Sequence, residues 1–194
     1  MSGFQRSPFR MVFWAATIVT LLATSSLSAD MKTVRKQAEA GDANAQFNIG
    51  SMYENGSGVK QDYAEAAKWY RKAAMQGAAS AQYNLGFMYL NGQGVPQDYA
   101  EAARWYRKAA EQGDVDALRI LGLAYYLGKW VPKDLVQSYF WFSLAALRAS
   151  GDEYQQASEA KDRIAKELTP GKLKEAQRMV TEWEKSHPGK RGPS

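Results

Sequence analysis

A 36-residue repeat constrains the fold of this chain more than any other feature of its sequence. Residues 38–73 and 74–109 are identical at 25 of 36 positions, and residues 110–145 follow the same pattern more loosely. The third copy keeps Gly122 and Trp141 in register with the first two. A fixed period of this length is typical of repeat proteins, in which each unit is one supersecondary element. The chain is therefore expected to build its core from stacked copies.

Each unit is predicted to be a pair of antiparallel helices. In the second unit, Leu85 and Met88 lie at helical spacing, and Gly92 supplies a left-handed stop signal. Asp98, followed three residues later by Glu101, has the pattern of a capping box at the start of the second helix. Stacked pairs bury one another's apolar faces. The predicted fold is all-α, a right-handed α-solenoid of antiparallel helix pairs with atypical C-terminal capping helices.

Gly86 lies in the middle of a predicted helix, where glycine costs roughly 1 kcal/mol relative to alanine. It recurs as Gly50 and Gly122. We therefore expect a close helix–helix crossing at this position.

The domain boundaries follow from this pattern. After Gly151 the period breaks, and the next helix is expected to turn Tyr154, Ala157, Ile164 and Leu168 inward. The polar tail is expected to be disordered. The predicted solenoid covers residues 30–185, with units at about 38–73, 74–109 and 110–145, capping helices at 152–168 and 170–185, and a tail at 186–194.

Residues 1–29 have the three-part pattern of a secretory signal peptide. Arg6 and Arg10 precede an apolar run, residues 11–23, and small polar residues follow it. The run has about 13 residues, fewer than the roughly 20 that a spanning helix needs. The mature protein is expected to be periplasmic or secreted, with no stable membrane insertion after cleavage. The alternative is a retained membrane anchor.

Composition excludes cysteine-based sites and disfavours most other familiar catalytic chemistries. The chain has no cysteine, and its one histidine, His187, lies in the polar tail. The net charge of +5 belongs to the two termini, because residues 30–184 carry 20 basic and 20 acidic residues. This neutral body is expected to have no basic stripe, so no nucleic-acid partner is predicted. The sequence predicts no catalytic residue, no metal site and no cofactor.

Three local patterns have a functional and a structural interpretation. The glycine-rich loops at 55–58 and 91–94 could bind phosphate, but a helix rather than a strand precedes them, which favours turns. The Trp-Tyr-Arg-Lys segments at 69–72 and 105–108 could bind nucleic acid, but on a helix the rings face inward. Asp114 with Asp116, and residues 152–153, could be acid–base pairs, but both lie where helices begin.

The repeated motif resembles the SEL-one-like repeat, a subclass of the tetratricopeptide-like solenoids. The resemblance is carried by the pattern A-x-A-Q-[FY]-N-[IL]-G-x-M-Y-x-N-G-x-G-V-x-Q-D-Y-A-E-A-A-[KR]-W-Y-R-K-A across residues 38–109. It implies an interaction scaffold, often exported in bacteria, that engages partners through its concave face. A cysteine-rich branch of the family is linked to β-lactam binding and hydrolysis, but this chain lacks cysteine.

In tetratricopeptide-like solenoids the first helix of each unit lines the concave face. The matching positions are aromatic or apolar in the middle of the stripe and polar around it, which suits a peptide with a hot-spot anchor. The alternative is that the apolar ones only contact the next helix. The predicted partner-binding residues are Asn44, Phe47, Asn48, Ser51, Glu54, Ser80, Tyr83, Asn84, Phe87, Leu90, Asp116, Arg119, Leu123 and Tyr126.

The first functional hypothesis is therefore a non-catalytic, exported scaffold that binds a protein or peptide. The second is a cell-wall-related ligand-binding or hydrolytic, β-lactamase-like protein. The third is an envelope tether that acts through the basic tail. The sequence leaves the partner and the oligomeric state open.

Overall fold

The computed structural model describes residues 31–187, and within this range the chain is all-helical. Nine helices follow one another, and the first of them spans 31–39. The helices are α1 (31–39), α2 (Ala43–Asn55), α3 (Tyr63–Met75), α4 (Ala79–Asn91), α5 (Tyr99–Glu111), α6 (Val115–Leu127), α7 (Leu135–Ala146), α8 (Gly151–Glu167) and α9 (Pro170–Ser186).

The helices pack mainly against their neighbours along the chain. The pairs α2–α3, α4–α5 and α6–α7 form the three units, and the second helix of each unit contacts the first helix of the next. At the C-terminal end, α8 and α9 both pack on α7. This nearest-neighbour packing confirms the predicted α-solenoid.

Local signals explain where the helices begin and end. Asp62, Asp98 and Asp134 are N-caps of the second helices, and the Oδ1 of Asp98 accepts hydrogen bonds from the backbone N–H groups of Ala100 and Glu101 at 2.9 and 3.0 Å. The reciprocal half of the predicted capping box is wrong, because the Glu101 carboxylate binds other side chains of its own helix. The first helices end as predicted at glycines in the left-handed region, with φ of 68° at Gly92.

The mid-helix glycines mark close helix crossings, as predicted. A Cβ atom on Gly86 would lie 3.1 Å from the ring of Tyr106, and one on Gly122 would lie 2.7 Å from the ring of Phe142. Gly50 has the same relationship with Tyr70, at 2.8 Å. Each glycine therefore lets an aromatic ring of the second helix pack directly on the backbone of the first.

Buried glutamines join consecutive units. The Gln82 side chain is 5% exposed, and its amide donates to the carbonyl of Ala74 at 3.0 Å. The amide of Gln112 in turn donates to the Gln82 side-chain oxygen at 2.6 Å. Gln46 and Gln76 repeat this arrangement one unit earlier, with a 2.8 Å bond between their side chains. Side-chain hydrogen bonds therefore connect consecutive helices in addition to the apolar packing.

The C-terminal cap is built differently from the repeats. Arg148 occupies the register position of Gln112 and is 7% exposed, with its guanidinium 4.2 Å from the ring of Trp183 on α9. Ala157 and Ile164 on α8 are buried as predicted, whereas Tyr154 is 50% exposed, so the prediction that it turns inward is wrong. Tyr154 lies in the first turn of α8, where it borders an open cavity that residues of α7 and α9 also line, so its ring stays half exposed.

Several sequence predictions concern residues outside the described range. The signal peptide, residues 1–29, and residues 188–194 of the predicted tail lie there. The predicted start of the tail at 186 is wrong, because Ser186 is the last residue of α9 and the backbone N–H of His187 donates to the carbonyl of Trp183 at 3.0 Å. Over residues 31–187, none of the helices has the length and apolar character needed to cross a membrane.

Candidate binding groove

The fourteen predicted partner-binding residues lie on the first helices of the three units, α2, α4 and α6. None of them is fully buried, so each side chain is at least partly exposed to solvent. The exposed ones are Asn44, Asn48, Ser80, Phe87, Asp116 and Leu123, and the half-buried ones are Phe47, Ser51, Glu54, Tyr83, Asn84, Leu90, Arg119 and Tyr126.

A cavity of about 420 Å³ lies where this surface meets the C-terminal helices, and we call it the groove. It is formed by α4, α6, α7 and α8. Its lining residues are Tyr83, Asp116, Arg119, Ile120, Leu123, Phe142 and Gln156. The structure thus brings four of the predicted residues together and adds three that the sequence did not indicate.

The apolar wall of the groove is held by aromatic packing. Tyr83 meets Tyr106 edge-on with 5.5 Å between the ring centroids, and Phe142 is fixed against the backbone of Gly122. Leu123 is 49% exposed and projects from α6 at this wall. A rigid aromatic wall beside an exposed leucine can bury an apolar side chain of a partner with little loss of its own conformational entropy.

The polar edge of the groove centres on Arg119. Its Nη1 lies 3.2 Å from Asp116 Oδ1, and its Nη2 donates to Gln156 Oε1 at 2.9 Å. Gln156 belongs to α8, so the guanidinium is positioned from two helices at once. Since a guanidinium has five N–H donors, Arg119 can also donate to a carbonyl or carboxylate of a bound molecule.

Tyr83 connects the apolar wall to the acidic edge. Burial raises the pKa of its hydroxyl, and the negative charges of Asp116 and Asp114 raise that pKa further. The hydroxyl therefore stays protonated at neutral pH and remains a hydrogen-bond donor.

At the α2 end, the predicted residues form a polar cluster around Tyr70. The Tyr70 hydroxyl donates to Glu54 Oε2 at 2.5 Å, and Ser51 and Asn84 also hydrogen-bond with it. Burial raises the pKa of Tyr70 strongly, and the hydrogen bond to the Glu54 carboxylate adds to that rise. The Glu54 carboxylate is therefore already engaged within the protein.

At the α6 end, Tyr126 bonds to the C-terminal cap. Its hydroxyl donates to Glu167 Oε1 at 2.9 Å, and this bond raises the pKa of the phenol. The predicted stripe thus has three parts: the Tyr70 cluster, the groove, and the contact between Tyr126 and Glu167.

Three lining residues were missed by sequence reasoning. Phe142 could have been found, because it occupies the same register position as Tyr70 and Tyr106, whose rings face the first helices. Ile120 similarly matches Asn84, which was predicted. Gln156 had no such signal, because α8 lies beyond the repeats.

The acidic pairs have the capping roles that the sequence favoured. Asp114 is the N-cap of α6, and its Oδ1 accepts from the backbone N–H of Ala117 at 2.9 Å. Asp152 and Glu153 lie in the first turn of α8, where the helix dipole favours negative charge. Across the described part of the chain, no three His, Cys, Asp or Glu side chains are grouped as metal ligands.

Comparison with known proteins identifies one family, whose model matches the chain three times. The family model "Sel1 repeat" matches residues 43–77, 79–114 and 115–150, more than half of the chain. No curated protein matches the sequence.

Two solved structures are similar to this one. The protective antigen c5321 of uropathogenic Escherichia coli, which displays an SLR fold, is 38% identical over 80% of this chain, with a TM-score of 0.70. This chain spans about a third of that antigen's length, since 32% of it is covered. A Sel1 repeat protein from Oxalobacter formigenes is 35% identical over 67% of this chain and 98% of its own, with a TM-score of 0.60.

Repeats of this type are commonly protein-interaction scaffolds. The matches extend over α4, α6 and α7, which carry every lining residue of the groove except Gln156, and they agree with the packing of α2 to α7. The chain therefore belongs to the Sel1 repeat family.

Proposed function

We propose that this protein is an exported, non-catalytic scaffold that binds a protein or peptide partner in the groove. The observation that carries the proposal is the groove itself, a cavity of about 420 Å³ with an apolar wall and a positioned guanidinium. A volume of this order is typical of sites that enclose a small ligand or an anchoring side chain.

The lining indicates what the partner presents. A large aliphatic or aromatic side chain fits between Tyr83, Leu123 and Phe142, because all three are apolar or aromatic surfaces of one cavity. A backbone carbonyl or a carboxylate next to that side chain would accept a hydrogen bond from Arg119. The partner is thus expected to present an apolar anchoring side chain with a hydrogen-bond acceptor next to it, as in many hot spots.

Binding by a groove variant tests this proposal. Proximity labelling and co-purification of the native protein would identify the partner, and the purified pair would give an affinity. Leu123→Ser and Arg119→Ala should each weaken binding at least about 30-fold, which corresponds to a hot spot of about 2 kcal/mol. Equal affinities for both variants and the wild type would rule out the groove.

Met75→Ser is the matched control. Met75 is 75% exposed and lies at the end of α3, outside the groove. Met75→Ser removes an exposed apolar side chain, as Leu123→Ser does. Because Met75 lies outside the groove, the affinity for the partner should remain that of the wild type.

The export step has its own test. The arginines and the apolar run of residues 1–29 support a cleaved signal peptide. Mass spectrometry of protein recovered from the envelope should give an N-terminus near Asp30. An uncleaved chain in the membrane fraction would instead indicate the retained anchor.

The absence of catalysis is also part of the proposal. A β-lactam turnover and labelling assay on the purified protein separates the scaffold from a β-lactamase-like enzyme. Turnover that Leu123→Ser abolishes would favour the enzyme and place its substrate in the same groove.

A further inference from the structure

Three groups of three cationic residues recur at the same positions of the 36-residue repeat. One group lies on α1, and the other two lie on the second helices α3 and α5. Their spacing is 36 residues, so α1 matches the C-terminal part of α3 and α5. The triplets, which together we call the basic stripe, are Lys32, Arg35 and Lys36; Lys68, Arg71 and Lys72; and Arg104, Arg107 and Lys108. All but Arg71 are exposed, and Arg71 is half-buried.

Equivalent hydrogen bonds show that the triplets share one face of the solenoid. Each arginine donates from Nη2 to the hydroxyl of a tyrosine 18 residues later, on the next first helix. The bond from Arg71 to Tyr89 measures 2.5 Å and that from Arg107 to Tyr125 measures 3.0 Å, and Arg35 bonds in the same way to Tyr53. The stripe is therefore a continuous row across three layers of helices.

Most of these cations contact neutral groups rather than carboxylates. The ammonium of Lys72 lies 3.9 Å from the ring centre of Trp69, and that of Lys108 lies 4.8 Å from Trp105. Within the stripe, Lys68 and Arg104 form ion pairs, with Glu65 and Glu101 one turn earlier. Tyrosine hydroxyls hold the three arginines, and tryptophan rings hold Lys72 and Lys108, without neutralising their charge.

The stripe concentrates charge in a body that is neutral overall. Helices α1, α3 and α5 carry nine basic and four acidic residues, and the rest of residues 30–184 carries eleven basic and sixteen acidic ones. The expectation that a neutral body has no basic stripe is therefore wrong. The repeat gathers like charges on one face because the same positions recur in each unit.

We propose that the basic stripe docks the protein on an anionic lipid bilayer. Protein interfaces have an apolar core and are depleted in lysine, whereas Trp69 and Trp105 on this face are buried at 7% and 4% exposure. An exposed row of cations without an exposed ring between them fits a surface of anionic headgroups. The choice of lipid over nucleic acid rests on the export proposed above.

Docking by this face leaves the groove free. The stripe lies on α1, α3 and α5, whereas the groove is lined from α4, α6, α7 and α8. The bilayer and the partner can therefore bind at the same time, and each can be lost without the other.

The expected strength follows from the number of cations. A lysine or arginine near an anionic surface contributes a factor of about five to partitioning at ordinary ionic strength. Three lost cations should therefore weaken binding at least about 100-fold. The attraction should also fall steeply with salt, because the screening length shrinks from about 10 Å at 0.1 M to about 3 Å at 1 M.

Vesicle co-sedimentation of the full chain tests the proposal. The probes are vesicles of phosphatidylcholine alone and vesicles containing phosphatidylglycerol. The test variant is Lys36→Glu, Lys72→Glu and Lys108→Glu combined, one position in three layers. The matched control is Lys60→Glu, Lys129→Glu and Lys166→Glu, which changes net charge equally at exposed sites outside the stripe. Circular dichroism verifies that both variants keep their helices.

We expect the wild type and the control to bind anionic vesicles in a salt-sensitive way and the stripe variant to lose at least about 100-fold. All these proteins share residues 1–30, so any contribution of that segment is equal. Equal binding of wild type and stripe variant, or equal binding to neutral and anionic vesicles, overturns the proposal. Stripe-dependent binding to a DNA duplex without vesicle binding also overturns it. Leu123→Ser should keep vesicle binding, so failure of the groove proposal is recognised separately.

Discussion

The hydroxyl of Tyr70 donates a 2.5 Å hydrogen bond to the carboxylate of Glu54. Tyr106 occupies the same position one unit later, but Leu90 stands there in place of Glu54 and Ile120 in place of Asn84. The Tyr106 hydroxyl is buried and lacks a hydrogen-bond partner among the described residues. Two tyrosines in equivalent packing environments therefore differ in whether their hydroxyl is satisfied.

This difference predicts opposite effects of one substitution. Tyr70→Phe should lower the free energy of unfolding by about 1.5–3 kcal/mol, because it removes a hydrogen bond to a charged group. Tyr106→Phe should be neutral or stabilising by up to about 1 kcal/mol, since it removes a buried hydroxyl that has no partner. Urea unfolding of the two variants measures both values.

The two substitutions control each other, because both delete one oxygen from a buried ring at the same register position. Equal destabilisation by both would contradict the assignment. Tyr106→Phe should also leave partner binding intact, because the Tyr106 ring supports Tyr83 without its hydroxyl.

Alkaline pH should destabilise the protein through the same two residues. Burial raises the pKa of Tyr70 and of Tyr106 above the ordinary value of about 10. Between about pH 10 and the raised pKa, the folded phenols keep their protons while the unfolded ones lose them. The folded state then binds more protons, so stability falls as pH rises, by up to about 1.4 kcal/mol per pH unit for each tyrosine.

Unfolding free energies at a series of alkaline pH values measure this slope. In Tyr106→Phe one of the two tyrosines no longer contributes, so the slope should become shallower by up to about 1.4 kcal/mol per pH unit. If absorbance titration finds Tyr70 and Tyr106 ionising together with exposed tyrosines in the folded protein, the explanation fails.

The repeat made the helices, their caps and the glycine crossings predictable, because these depend on residues within one unit or its neighbour. Asp98 and Gly92 could be assigned from local sequence alone. The groove was predictable only in part, since Arg119 is positioned by Gln156, which is 37 residues away on a helix outside the repeat. No periodicity indicates where such a helix packs.

Trp130 is a second feature that the repeat pattern could not predict. It stands where the first two units have Gly58 and Gly94, and it adopts a positive φ of 50°. This conformation costs a tryptophan roughly 1–2 kcal/mol. Its ring packs on Tyr106 at 5.8 Å, and this burial offsets the cost. The substitution depends on the space beside Tyr106, which only the packed structure reveals.

Alanine at the crossing glycines should destabilise the fold despite its higher helix propensity. A Cβ on Gly122 would lie 2.7 Å from the Phe142 ring, and one on Gly86 would lie 3.1 Å from the Tyr106 ring. Overpacking of this kind costs about 1–3 kcal/mol. Gly122→Ala should therefore lose more stability than Gly86→Ala in urea unfolding.

Gly171→Ala is the control for helix propensity. Gly171 lies in the first turn of α9, and a Cβ there meets no atom within 4 Å. The substitution should leave stability unchanged or raise it by up to about 1 kcal/mol. A loss as large as that of Gly122→Ala would show that the ring contact is not the cause.

The contact between Arg148 and Trp183 should hold the last helix on the stack. Arg148 Nη1 donates to the carbonyl of Leu144 at 3.0 Å, and its guanidinium lies 4.2 Å from the Trp183 ring. Burial lowers the pKa of this arginine, and the ring face supplies attraction where the described residues give its Nε no hydrogen-bond partner. A double-mutant cycle with Arg148→Met and Trp183→Leu should give a coupling free energy of about 0.5–2 kcal/mol.

Hydrogen exchange locates the effect of that cycle. In either single variant the amides of α9 should exchange faster, whereas those of α4 and α5 should keep their protection, because a solenoid is stabilised by neighbouring layers. A coupling near zero would mean that Trp183 packs through its apolar area alone. Loss of protection throughout the chain would mean that the cap and the repeats unfold as one unit.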